Sequence, residues 1–193
     1  MTSILQSLSK TVHLSLGIAL LLFLGLHFFG DGFSFDRYFF SWLFRYLHVL
    51  TGIMWIGLLW YFNFVQIPSM PNIPDEQKPA IGKVIAPAAL FYFRWAALVT
   101  WLSGAAILGG NFIDAFTFQM GYELIGIGAW LGTIMLLNVW GIIWPNQKKV
   151  LGIKDATDEE KNVAKRKAFL ASRTNTLLSL PMLLSMVAAQ NLY

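Results

Sequence analysis

The chain alternates long apolar runs with short polar breaks. A helix needs about 20 mostly apolar residues to cross the hydrocarbon of a bilayer. Five runs approach or exceed that length, at residues 11–30, 38–67, 85–109, 122–144 and 174–189. The second is long and is expected to tilt or protrude. The fifth is short and contains Pro181. The expected fold class is therefore all-α: a single integral membrane domain over residues 1–193, built as a bundle of about five transmembrane helices.

The polar breaks carry their own signals. Pro68, Pro71, Pro74 and Pro79 predict an extended connector over 68–79. Thr157 with Glu160 three residues on forms a capping box, in which each side chain satisfies an orphan amide at a helix start. Asp158, Glu159 and Glu160 suit the positive end of that helix, and Lys165, Arg166 and Lys167 suit its far end. A short cytosolic helix from about Asp158 is expected to run into the fifth span. Gly128 and Gly132 make a small-xxx-small pair that fits close helix packing.

Charge adds a direction. Charged residues make up 12% of the chain, about half the share of a soluble domain. Eleven basic residues (Lys10, Lys78, Lys83, Lys148, Lys149, Lys154, Lys161, Lys165, Arg166, Lys167 and Arg173) fall on one side of the five-span arrangement. The opposite loops hold only Arg37. Basic loops stay in the cytoplasm, so the expectation is a cytoplasmic N-terminus, Tyr193 outside, and a multi-pass protein of the bacterial inner membrane. The first run is too long for a signal peptide and lacks a small-residue cleavage site, so it reads as an uncleaved helix. The net charge of +4 lies beside the spans and is no nucleic-acid signal. The absence of cysteine excludes disulfides, thiolate metal sites, iron–sulfur clusters and covalent c-type haem.

The candidate chemistry begins with three histidines, all in the first two runs. His27 near the end of span one and His48 a few turns into span two would lie at similar depth on antiparallel neighbours. Neutral imidazole is a good axial ligand for haem iron, so His48 and His27 could clamp one haem b. Gly52 shares a helical face with His48 and would leave a slot for a porphyrin, which Trp55 could wall. Arg45, one turn nearer the surface, could pair with propionates. Alternatively, a membrane histidine can simply bond a neighbouring carbonyl, and Arg45 can snorkel to headgroups. His13 lacks a histidine partner at its level on any other helix.

A second cluster gathers at the inner ends of the spans: Asn63, Gln66, Arg94, Asn138, Arg173 and Asn175. No carboxylate in the membrane can pair with Arg94. Carbonyls, the amides, water or a small planar anion would have to satisfy it. The alternative is a structural network at the helix ends.

The stretch from Arg45 to Pro68, RYLHVLTGIMWIGLLWYFNFVQIP, resembles the membrane domain of the bacterial membrane-bound urate oxidase (urate hydroxylase, PuuD-type) family. The Ser172–Pro181 stretch is similar to the same family's SRHN…LP segment, with Thr174 where the family has histidine. The LHxxxGxxWxG part also resembles HemJ-type protoporphyrinogen oxidases and CopD-type copper-resistance proteins. Those likenesses imply a helical membrane bundle, and the HemJ likeness implies haem at His48. Full-length urate oxidases of this type carry more spans and a C-terminal cytochrome c domain, and this chain has no Cys-x-x-Cys-His. The expectation is a stand-alone haem b subunit passing electrons to another membrane protein or a cytochrome c-type carrier. A cofactor-free accessory subunit and a urate-type oxidoreductase acting at the Arg94 cluster are the alternatives.

Overall fold

The computed structural model describes residues 2–30 and 32–192, and among these there is no strand. After a helical turn at Thr2–Leu5, five long helices follow: α1 Leu8–Phe29, α2 Arg37–Asn72, α3 Lys78–Phe116, α4 Glu123–Val150 and α5 Asp158–Asn191. The first four are long and apolar enough to cross a membrane. The chain is thus an all-α, multi-pass membrane bundle. The run expected as a fifth span falls in the second half of α5, which is not among those four, and α5 also absorbs the expected cytosolic helix in one uninterrupted rod.

The capping box at the start of α5 forms as read from the sequence: Thr157 Oγ1 accepts from the Glu160 amide, and Glu160 accepts from the Thr157 amide. That amide and the nearby Lys149 hold the Glu160 carboxyl below the ordinary glutamate range.

The 68–79 connector is shorter than expected. Helix α2 runs through Pro68 to Asn72, and α3 starts again at Lys78. The reason is a change of helix type. Residues 61–66, 81–85 and 138–143 are π-helical, and each stretch ends two residues before a proline: Pro68, Pro87 and Pro145. Proline lacks the amide for the i→i−4 bond, and its ring crowds the preceding turn. A wider π turn upstream accommodates both, so the helix continues instead of breaking.

The chain divides into two compact units, residues 1–42 and 43–193, with the boundary inside α2. In the first unit, α1 buries none of its described side chains, and its stretch 16–26 is wholly apolar, as a lipid-facing helix should be. Asp36 Oδ1 caps α2 by accepting from the Tyr38 and Phe39 amides. Phe23, Phe33, Phe39 and Trp42 stack beside it.

In the second unit, Trp55, Leu59, Phe93, Ala97, Met135 and Val139 form the packed centre. Helix α5 is inside-out relative to a soluble helix. Its buried positions are Ala164, Ala168, Ala171, Asn175, Ser179, Met182, Ser185 and Ala188. Its exposed ones include Leu177, Leu180, Leu184 and Val187. Small residues let α4 and α5 approach closely. Gly128 of the predicted pair sits against Met186, while Gly132 is buried without a neighbour that a Cβ would meet.

Candidate functional site

Helix α2 presents His48 to α3. The ring Nδ1 lies 2.7 Å from the Thr100 carbonyl oxygen. A carbonyl only accepts, so Nδ1 carries the proton and, in the neutral ring, Nε2 holds the lone pair. A small polar node surrounds the bond. Thr100 Oγ1 is 2.9 Å from Thr51 Oγ1, and Ser103 Oγ donates to Thr100 O at 3.0 Å. Gly104 makes room for the ring, since a Cβ there would lie 3.0 Å from His48 Cε1.

The slot expected beside Gly52 is occupied by α3: the Thr100 methyl lies 3.7 Å from where a Gly52 Cβ would be. Trp55 likewise lines no open slot. It is 2% exposed in the packed centre, and its indole N–H has no partner. The 48–52–55 face is the α2–α3 contact itself, because four- and three-residue spacing puts all three positions on the side that packs. Arg45 is exposed one turn before His48.

His27 belongs to the first unit and has the opposite ring arrangement. Its Nδ1 accepts from the Phe33 amide at 3.2 Å, so its lone pair ties down the chain beyond α1. In the neutral ring Nε2 then carries the proton and cannot ligate a metal until that bond breaks. His13 is exposed, with Nδ1 2.6 Å from Ser9 O one turn back. Among the described residues no three of His, Cys, Asp and Glu cluster as metal ligands.

The six residues of the expected anion site divide into separate groups. Asn138 Nδ2 donates to Asn175 Oδ1 at 2.9 Å, and Asn175 Nδ2 donates to the Met135 carbonyl at 2.9 Å. Asn63 Nδ2 donates to Ser172 Oγ at 2.8 Å and to Leu59 O. Trp60 Nε1 reaches Ser179 Oγ at 3.0 Å. These bonds stitch α2 and α4 onto α5 in one seam, and Asn63 and Asn138 both lie in π stretches. The Asn63 and Gln66 side-chain oxygens are buried without partners.

Arg94 stands apart from the seam. Its guanidinium lies 3.9 Å from the centre of the Trp144 ring and 5.2 Å from that of Phe91, and it donates to Leu90 O. Cation–π contact and a carbonyl satisfy it where an anion was expected. Arg173 is exposed and stacks over Phe169 at 5.3 Å. The arrangement is a structural seam plus two separately stacked arginines, not one converging anion site. Sequence reading did not find Thr100 or Ser172 as partners; they are 52 and 109 residues from the groups they serve, and no local pattern marks them.

Fold and site together define a multi-pass helical membrane protein with an intramembrane histidine oriented by a backbone carbonyl. The urate oxidase N-terminal family model matches residues 111–192. The chain is therefore similar, over α4, α5 and the end of α3, to the membrane domain of urate oxidases. This stretch contains Asn138, Arg173 and Asn175 but not His48. No curated protein and no solved structure matches the chain.

Proposed function

We propose that the protein is a haem b-binding redox subunit of the bacterial inner membrane, related to the membrane domain of urate oxidases. The observation that carries this reading is the His48–Thr100 bond, which fixes the ring and reserves Nε2 as a lone-pair donor. A metal-ligating histidine usually donates its other ring nitrogen in this way. His48 would ligate the iron, and Arg45, exposed one turn away, would meet the propionates. Haem b supplies one-electron exchange when bound. The protein's own contribution is to orient the imidazole and limit water through the α2–α3 contact. The bond from Phe33 to His27 speaks against His27 as a second ligand, so His48 would be the histidine of this chain that holds the group. Electrons would then pass to another membrane protein or a cytochrome c-type carrier.

The test is a pyridine haemochrome assay on the full chain purified after expression with added haem. The expected result is about one haem per chain, with the Soret band lost in His48→Ala. A chain without a Soret band, or a His48→Ala spectrum like the parent's, overturns the reading.

One observation favours a second function, that of a cofactor-free accessory subunit. The bond to Thr100 and the space left by Gly104 make His48 a helix-packing residue in its own right. Under that reading His48→Ala lowers thermal stability while the purified chain carries no haem.

A further inference from the structure

The outward face of α5 changes character along its length. Arg166 and Arg173, seven residues apart, are both exposed, and neither has a carboxylate partner among the described residues. Seven residues are two turns, so the two arginines share a face with Cα atoms about 10 Å apart. Helical side chains lean toward the N-terminus. Accordingly, the Arg173 guanidinium reaches back over the Phe169 ring and toward Arg166.

Further along the same stripe come Leu177, Leu180, Leu184 and Val187, between 61% and 73% exposed. Leu180, Pro181, Leu183, Leu184 and Val187 line an open apolar groove of about 540 Å³. The groove begins seven residues past Arg173, so it lies about 10–20 Å deeper along the helix. With α5 crossing the bilayer, that depth fits acyl chains within one leaflet of a hydrocarbon layer about 30 Å thick.

We infer that this stripe binds an anionic phospholipid, its phosphate held between Arg166 and Arg173 and one acyl chain lying in the groove at Pro181. Charge complementarity selects the occupant. A cationic pair at the polar end and an unbroken apolar groove below it match one amphiphile with a negative head. Guanidinium groups also suit phosphate by bidentate bonding. The site makes no use of His48 and stands whether or not haem binds.

The test uses the full chain in detergent, titrated with phosphatidylglycerol or phosphatidylcholine and followed by native mass spectrometry and thermal unfolding. Phosphatidylglycerol is expected to bind more tightly and to raise the melting temperature further. Arg166→Gln and Arg173→Gln are each expected to weaken its binding about fivefold, since one basic residue near an anionic headgroup contributes about that factor. Val187→Phe, which fills the groove, is expected to weaken both lipids alike and provides a second variant should an arginine substitution disturb folding. Equal binding of the two lipids overturns the inference, and so does unchanged phosphatidylglycerol binding in the double glutamine variant. With no native cysteine to interfere, Val187→Cys in nanodiscs tests the rival occupant. Efficient cross-linking of two copies through it would show that a protein covers the face, and would also overturn the inference.

Discussion

At the scale of single residues, His48 is held by what is missing from Gly104. A Cβ on Gly104 would lie 3.0 Å from His48 Cε1 and 3.1 Å from Nδ1, while the ring is anchored to Thr100 O. The ring cannot retreat without giving up that bond. Gly104→Ala is therefore expected to cost about 1–3 kcal/mol, the usual range for overpacking a filled site, and to displace the imidazole. Thermal unfolding in detergent measures it, with Gly57→Ala as the control, because a Cβ there meets nothing within 4 Å. Equal melting temperatures for the two variants would remove Gly104 from the account. The residue types at this site were legible in the sequence: a histidine in a span is costly and therefore noticeable. Its surroundings were not. The glycine that serves His48 is Gly104 on the next helix rather than Gly52 on its own, because periodicity identifies a face but not what covers it.

At the scale of elements, the chain is more continuous than its prolines suggest. The capping box at Thr157 was legible because both partners lie within four residues. The 68–79 connector is shorter than its prolines predict because a proline need not break a helix. Three π stretches, each ending two residues before a proline, absorb the missing amide and keep the helices running. The first of them carries Asn63 to its bond with Ser172, and the third carries Asn138 to Asn175. Pro68 and Pro145 therefore each set the rotation of an amide in the seam. Pro68→Ala restores an N–H that can bond one turn back, and the 61–66 stretch should then tighten to α-helix. Asn63 would rotate away from Ser172, at a cost of about 1 kcal/mol for a lost buried hydrogen bond. Amide exchange is the direct measurement: residues 61–66 should exchange more slowly in the variant while the melting temperature falls. Unchanged exchange there would mean that the π geometry does not depend on the proline.

At the scale of the whole molecule, the number of crossings turns on α5. Four helices qualify on length and mean hydropathy, and α5 does not. Mean hydropathy, however, averages over the helix circumference. In α5 the polar Asn175, Ser179 and Ser185 are buried, while Leu177, Leu180, Leu184 and Val187 face outward. Inward polar groups are bonded within the bundle and need no water, as a membrane requires. The surface offered to the surroundings is apolar. The five-span reading thus rests on where the polar residues face rather than on how many there are, and a sequence average cannot recover that. With the N-terminus inside, as the basic loops lead one to expect, the two counts give opposite fates for the C-terminus. If α5 crosses, alkaline phosphatase fused after Tyr193 is exported and active, and a green fluorescent protein fusion at the same point is dark. If it does not, the two signals exchange. A fusion in the 117–122 turn between α3 and α4 should be active with phosphatase in either case, and one at 152–156 should be inactive, so both serve as internal references. Active phosphatase at the C-terminus together with those references is the expected result; a fluorescent C-terminal fusion would leave α5 on the inner surface and the bundle with four spans.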